Sequence, residues 1–427
     1  MGAATAQPTT LAGWLSHLEQ LHPSTIELGL GRVRQVADRL RLDFGNAKVI
    51  TVGGTNGKGS SVTMLAGILR AAGHQAVTYT SPHLLIYNER VGLNGRLATD
   101  QELCDGFAAV ERARGDISLT YFEFGTLGAL WLFAQLKPDF IILEVGLGGR
   151  LDAVNIIDAD VSILTNVDLD HMDWLGDTRE KIGYEKAGIF RPGRPAIYGE
   201  VAMPDSVRDY AGSNGIPLLQ QGREFGWREH GERWDWYGQD RKGQPVELTG
   251  LPCNGFPLDN AAGVLQALHS LCLKLPRAAI DQGLATAELA GRFQRKQYRG
   301  LTVILDVAHN PHAARNLAHN IQTRLQGKQV HLVLGMLADK DSATVVQLLA
   351  PKVHHIYAAS LGGERGSPAD VLYNHARRSG YQAVSCHADP VAAFTAASEA
   401  AQTLDAVANV VVVTGSFFTI SAVLELL

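Results

Sequence analysis

From about residue 47 onward, short apolar runs alternate with stretches whose apolar residues recur at helical spacing. Stacked βαβ units on a mainly parallel sheet have this pattern in sequence. The first unit begins with Lys48–Val52, a β-branched run, then a glycine-rich turn and a predicted helix. That helix shows its face in Val62, Leu65, Ala66 and Leu69, at i, i+3, i+4 and i+7, and stops at Gly73. A strand is expected at Ala76–Thr80. The next helix presents Leu127, Leu130, Trp131 and Ala134 on one face and ends before Pro138. Asp139–Val145, with the apolar centre Phe140-Ile141-Ile142-Leu143, predicts a buried central strand. Val161–Thr165 predicts another.

Residues 224–250 change character: Trp227, Trp234, Trp236 and Tyr237 stand among Arg, Glu, Gly and Gln. Antiparallel hairpins forming a small appended sheet are expected there. Helical spacing returns at Asn260–Leu271. A second α/β series follows, with strands at Thr302–Leu305, Val330–Leu334, His355–Ala358 and Val410–Val413. A last helix shows Ile420, Val423, Leu424 and Leu427. The polar, basic stretch Gln294–Gly300 reads as a linker. The expected fold is α/β: a P-loop-type, mainly parallel ATPase domain with its small antiparallel sheet over residues 1–296, and a smaller Rossmann-like domain over 297–427.

Composition narrows the function classes. The 427 residues are 46% hydrophobic and 19% charged, with a formal net charge of −5. That is the make-up of a folded globular protein, and it disfavours a general nucleic-acid binder, which needs clustered Lys and Arg. Cys104, Cys253, Cys272 and Cys386 have no metal-finger spacing and read as reduced thiols. Met1–Thr10 lacks a signal peptide's basic and apolar regions, and Ala6 stands where a myristoylation signal starting at Gly2 needs Ser or Thr. A cytoplasmic, monomeric enzyme with no membrane partner is expected.

The strongest local signal is Gly53-Gly54-Thr55-Asn56-Gly57-Lys58-Gly59-Ser60, between a strand and a helix. Phosphates need a turn free of Cβ atoms, so that backbone N–H groups point inward, with a helix N-terminus behind and a lysine as point charge. All three are present. The strict P-loop pattern fails twice: the Gly53-to-Gly57 spacing is one residue short, and Gly59 follows the lysine where Ser or Thr is expected. The alternative is a plain strand–helix turn, and Lys58 with the hydroxyls of Ser60 and Ser61 favours a nucleotide site.

Glu144 closes its strand and precedes Gly146-Leu147-Gly148-Gly149-Arg150-Leu151-Asp152. A carboxylate there, beside a phosphate loop, suits a magnesium ligand; alone it would read as the acidic start of a surface loop. His171, in Asp168-Leu169-Asp170-His171-Met172-Asp173, reads by itself as one histidine of a solvated loop. Lys186, in Tyr184-Glu185-Lys186-Ala187-Gly188, reads by itself as an exposed charge on a helix end.

Five motifs in order move the reading further: Gly54–Ser60, Ser81-Pro82-His83, Glu144–Asp152, Glu185–Gly188 and Asp306-Val307-Ala308-His309-Asn310-Pro311-His312. The series resembles the folylpolyglutamate synthases, relatives of the Mur ligases, from about residue 10 to the end. With Thr120-Tyr121-Phe122-Glu123 it is similar to their bifunctional dihydrofolate synthase/folylpolyglutamate synthase branch. The short loop with glycine after lysine is normal in that family.

The resemblance implies residue roles. Lys58 and the Thr55, Asn56 and Gly57 backbone would hold ATP phosphates, with Gly59 in the same loop and Ser60 or Ser61 near the metal. Ser81 and Glu144 match ligands of one Mg2+, and His171 matches a ligand of a second. Lys186 matches a lysine carbamylated in the family, which would give a hard cation anionic oxygens. Asn260, Arg292 and Asp306 match ATP-contacting positions, with His309 in support. Pterin contacts would come from Ile26, Glu27 and Leu28, from Thr120, Tyr121, Phe122 and Glu123, and from Leu151, Asp152 and Ala153. Glu27 departs from the pattern, standing where the bacterial enzymes more often carry Asp.

The implied reaction joins L-glutamate to the carboxylate of dihydropteroate or of reduced folates through an acyl phosphate. Rival readings are another Mur-type amide ligase, a kinase or GTPase, and a nucleotide-binding protein without ligase activity. A Mur enzyme would carry a further N-terminal substrate domain, and a GTPase Asn-Lys-x-Asp, which Asn166-Val167-Asp168 does not match.

Overall fold

The computed structural model describes residues 7–22, 24, 26–231, 233–404 and 408–427; Gly2 and Ala6 lie outside these. The chain divides into two compact units, Met1–Ala287 and Glu288–Leu427. Among the described residues no helix is long and apolar enough to cross a membrane.

The first unit is built on β1 (Lys48–Gly53), β2 (Ala76–Tyr79), β3 (Val91–Leu93), β4 (Arg96–Leu97), β5 (Phe140–Glu144), β6 (Val161–Leu164), β7 (Ala196–Tyr198) and β8 (Leu218–Gln220). They form one sheet in the order β4-β3-β2-β5-β1-β6-β7-β8. It is parallel except for β3 and β4, which add an antiparallel edge beside β2. Every residue of β5 is buried. Each large apolar side chain so placed contributes roughly 1.5–3 kcal/mol relative to exposure. Register aligns the carboxyl ends: Val52 faces Glu144, Gly53 faces Leu164 and Tyr79 faces Leu143. The segments leaving β1, β2, β5 and β6 therefore emerge at one edge, where α/β sheets place ligands.

The helix Lys58–Ala71 buries Val62, Leu65 and Leu69 as its spacing implies, and Met64 and Ile68 as well. Its burial is broader because it packs against strands on one side and the helices Leu258–Ser270 and Arg277–Ala285 on the other. The aromatic region forms β9 (Gly226–His230), β10 (Arg233–Gln239) and β11 (Pro245–Pro252), ordered β11-β10-β9 and antiparallel. Buried indoles need a polar partner. Trp234 Nε1 donates to Pro252 O at 3.0 Å and Trp236 Nε1 to Ala262 O at 3.2 Å, the latter tying this sheet to the helix Leu258–Ser270.

The second unit contains β12 (Gln294–Tyr298), β13 (Leu301–Asp306), β14 (Gln329–Gly335), β15 (His355–Ala359), β16 (Val384–His387) and β17 (Asn409–Gly415). The order is β12-β13-β17-β14-β15-β16, parallel apart from β12. Gln294–Gly300 is thus no linker, since most of it is strand β12. An edge strand with one solvated face carries polar residues, so its sequence reads as loop. The units divide before it, between 287 and 288 rather than 296 and 297.

Candidate functional site

Between β1 and the helix Lys58–Ala71 the chain makes a turn that only glycine can make. Gly54 has φ +142°, and a Cβ there would lie 1.8 Å from Thr165 Oγ1. Gly57, the helix N-cap, has φ +82°, and its Cβ would meet the Asn260 amide at 2.4 Å. The turn is latched to the segment leaving β6. Asn166 Oδ1 accepts from the N–H groups of Thr55 and Asn56 at 3.1 and 2.8 Å. Thr165 Oγ1 donates to Asn56 O at 2.6 Å. Asp168 N donates to Thr55 Oγ1 at 3.0 Å. Asn260 Nδ2 donates to Ser60 Oγ at 3.0 Å, joining two of the expected ATP residues.

A pocket opens beside this turn, lined by Gly54, Thr55, Lys58, Val145–Gly148, Asp170, His171 and Lys186. Lys58, from the strongest local signal, thus lines one pocket with His171 and Lys186, whose individual signals were weak. Lys58 Nζ donates to Gly54 O at 2.9 Å and to Thr55 O at 3.2 Å. Lys186 Nζ reaches the same Gly54 O at 3.1 Å. Lys186 is no surface charge: it is only 5% exposed. Burial, and then the nearby Lys58 cation, bring its pKa down to about 7. Glu144 is buried at the end of β5 and accepts from Ser81 N at 3.2 Å, so this pair is adjacent. His171 has a largely exposed side chain, with Asp170 3.9 Å away.

The residues expected for the pterin form a second cluster. Thr120 caps the helix Tyr121–Leu136, and Glu123 closes the capping box: Thr120 N donates to Glu123 Oε2 at 2.8 Å and Glu123 N to Thr120 Oγ1 at 3.2 Å. Arg32 Nη2 donates to Glu123 Oε1 at 3.1 Å, and Arg32 Nη1 donates to Glu27 Oε1. Tyr121 lies under the Arg90 guanidinium, 5.7 Å from its ring centre, and Arg90 Nε donates to His83 Nδ1 at 2.8 Å. Asp152 is buried. Its oxygens accept from Leu147 N at 2.8 Å and Val154 N at 3.1 Å, so the carboxylate braces the glycine-rich loop. Burial outweighs these bonds and raises its pKa to about 6.

In the second unit, Arg292, Asp306 and His309 sit together. Asp306 closes β13, and its Oδ2 accepts from Phe293 N at 2.8 Å. Burial raises its pKa to about 6 against the opposing charge of Arg292. Arg292 Nη1 donates to Val307 O at 2.7 Å, and its guanidinium lies 5.6 Å from the Phe417 ring, which His309 also approaches. Asn310 caps the helix Pro311–Arg324 through Ala313 N at 2.9 Å.

Sequence reasoning did not find Thr165, Asn166 or Arg32. Asn166 had a usable signal, since it directly follows the strand paired with the phosphate-loop strand. Arg32 had none, being one arginine of several on a polar helix.

A P-loop turn on a parallel sheet, followed by a second parallel α/β unit, fits a Mur-type ligase. Family models agree: the Mur ligase middle domain matches residues 52–201 and the Mur ligase glutamate ligase domain matches 291–417. The chain is 46% identical over 418 residues to the dihydrofolate synthase/folylpolyglutamate synthase of Escherichia coli (strain K12), spanning 98% of this chain and 95% of the relative. The solved structure of E. coli FolC in complex with DHPP and ADP superposes with TM-score 0.89 at 44% identity, over 98% of this chain and 99% of that one. A bifunctional folylpolyglutamate synthase/dihydrofolate synthase with Mn, AMPPNP and L-glutamate bound superposes with TM-score 0.86 at 46% identity, over 98% of each. The chain belongs to the dihydrofolate synthase/folylpolyglutamate synthase family.

Proposed function

We propose that in this chain Lys58 and the backbone of Thr55, Asn56, Gly57 and Gly59 hold the phosphates of ATP. The pterin is received by Ile26–Leu28, Thr120–Glu123 and Leu151–Ala153. The chain is an ATP-dependent ligase that joins L-glutamate to the carboxylate of dihydropteroate, forming dihydrofolate, and to reduced folates. Asn260, Arg292 and Asp306 are assigned to the nucleotide, with His309 in support. We read the enzyme as a cytoplasmic monomer acting on small molecules alone.

A free carboxylate is a poor acyl donor, and ATP supplies the leaving group. One carboxylate oxygen attacks the γ-phosphorus in line, the bond to the β–γ bridging oxygen breaks, and ADP leaves an acyl phosphate. The glutamate α-amine then attacks the acyl carbon, loses a proton, and phosphate departs with the electron pair of the C–O bond. Two anions meet in the first step, so alignment and charge neutralisation dominate. Lys58 at the loop supplies one positive charge.

The neighbouring donors suit a divalent cation. Glu144 is a buried carboxylate with Ser81 beside it, and hard oxygens are what Mg2+ prefers. Ser60, Ser81 and Glu144 would hold one ion. His171 and a carbamylated Lys186 would hold a second. When bound, such ions neutralise phosphate charge. Carbamylation needs an uncharged amine, and Lys186, with its pKa near 7, provides one at neutral pH.

The observation that carries the assignment is the meeting of Lys58 and Lys186 at the Gly54 carbonyl. The test is phosphate release from ATP with Mg2+, with and without L-glutamate, and with dihydropteroate or tetrahydrofolate. Release that needs both glutamate and the pterin carboxylate is expected. Release without either would assign the site to another P-loop activity.

A further inference from the structure

The two pterin segments proposed above lie far apart in the chain. Ile26–Leu28 comes before β1, and Thr120–Glu123 opens the helix Tyr121–Leu136. A side chain belonging to neither joins them. Arg32 Nη1 donates to Glu27 Oε1, while Nη2 donates to Glu123 Oε1 and Oε2 at 3.1 and 3.3 Å. On the far side of Glu27, His22 Nε2 lies 3.1 Å from the other carboxylate oxygen. On the far side of Glu123, the carboxylate accepts the Thr120 N–H at 2.8 Å. A continuous polar chain runs His22, Glu27, Arg32, Glu123, Thr120.

Its two ends are held differently. The Glu123 side chain is 5% exposed and that of Glu27 48% exposed. An ionised buried carboxylate is stabilised by a cation, so Glu123 anchors the guanidinium. The other edge of the planar fork is then presented to Glu27, a geometry that the point charge of a lysine does not reproduce. Ile26–Leu28 has no helix or strand of its own. Its position is set by Glu27 and by the Ser24 hydroxyl, which donates to Ile26 O at 2.6 Å.

We infer that Arg32 is a positioning residue for the pterin substrate, locking Ile26–Leu28 against the N-terminus of the helix that carries Tyr121 and Phe122. The inference rests on the reading that these two segments bind the pterin. Arg32 touches no reacting atom, so its contribution is to assemble the pocket before substrate arrives. Such a contribution appears in KM for the pterin and leaves the chemical step alone.

Arg32→Met, Arg32→Lys and Glu27→Gln test it, with KM measured separately for dihydropteroate and for ATP. Arg32→Met is expected to raise KM for dihydropteroate roughly tenfold or more, the weight of a lost charged hydrogen bond. Glu27→Gln should raise it less, and Arg32→Lys should recover part of the loss. In the Arg32 variants, KM for ATP and kcat at saturating pterin should stay within about twofold of the parent. An unchanged KM for dihydropteroate in folded Arg32→Met overturns the inference, as does an equal rise in KM for ATP. If Arg32→Met does not fold, Glu27→Gln decides alone, and an unchanged KM for dihydropteroate overturns it. Hydrogen exchange separates this inference from the pterin reading. Faster exchange at Ile26–Leu28 in Glu27→Gln is expected whatever the acceptor substrate, and unchanged exchange removes the tether.

Discussion

Lys58 and Lys186 donate to the same acceptor, the carbonyl oxygen of Gly54, at 2.9 and 3.1 Å. Burial disfavours the charge on Lys186, and the second ammonium group converging on the same carbonyl adds repulsion, so its pKa falls to about 7. An uncharged amine adds to CO2, releasing a proton and leaving a carbamate, which turns the repulsion with Lys58 into attraction. Native mass spectrometry in bicarbonate should show one CO2 adduct that Lys186→Ala lacks. Lys186→Ala should lose activity, and acetate or formate, as stand-ins for the carbamate, should restore part of it. A bare amine in ample bicarbonate would remove the carbamate from the mechanism.

The same lysine makes stability depend on pH. Its folded pKa is about 7 against the ordinary lysine value of 10.5, so between these the unfolded chain holds the extra proton. Stability of the unmodified chain should therefore rise as pH climbs from about 7 toward 10.5, and the cost is fully present below about 7. Thermal unfolding in CO2-free buffer measures this. Bicarbonate at pH 8 should raise the midpoint in the parent and leave Lys186→Ala unmoved.

Gly54→Ala places a Cβ 1.8 Å from Thr165 Oγ1 at a backbone φ of +142°. Either the turn or the segment leaving β6 must shift. Affinity for ADP should fall roughly ten- to hundredfold, the scale of local backbone strain. Calorimetric titration of ADP checks this, and unaltered affinity would place the phosphates elsewhere.

Asn166→Ala removes the side-chain oxygen that accepts from Thr55 N and Asn56 N of the phosphate loop, leaving Thr55 N the Asn166 backbone carbonyl at 3.1 Å. Loss of that latch should raise KM for ATP roughly tenfold, with KM for dihydropteroate unmoved. A change confined to the pterin would contradict the loop's assignment.

The Asp306 carboxyl is buried, which raises its pKa to about 6 from the ordinary aspartate value of 3.8. Between those values the folded chain holds more protons, so stability falls as pH rises through this window. Above it the ionised group costs roughly 3 kcal/mol. Asp306→Asn should raise the unfolding midpoint at pH 7 and flatten its pH dependence between about 4 and 6, while lowering phosphate release. A lower midpoint with the same slope would show that the carboxylate is stabilising.

What the sequence made legible follows from where the information lies. Gly54–Lys58, Glu144 and Asp306 stand at strand ends in contiguous motifs, so their neighbours in sequence are their neighbours in space. Arg32 and Asn166 act across 91 and 110 residues, on Glu123 and Asn56 respectively, and local pattern carries nothing of that pairing. Lys186 looked like a surface charge because a helix position alone does not reveal that Gly54 covers it. Strands β1, β5 and β17 were readable as apolar runs. β3, β4, β7, β8 and β16 are too short to show an alternation, and β12 is polar because it is an edge.

Dihydropteroate labelled with 18O in its carboxylate, turned over with ATP and L-glutamate, tests the acyl phosphate itself. The phosphate released should carry one carboxylate-derived oxygen, because the bond that forms in the first step is O–P and the bond that breaks in the second is C–O. Phosphate free of label, with both labelled oxygens still on unreacted carboxylate and the γ-phosphoryl oxygen drawn from water, would contradict carboxylate activation and leave only ATP hydrolysis.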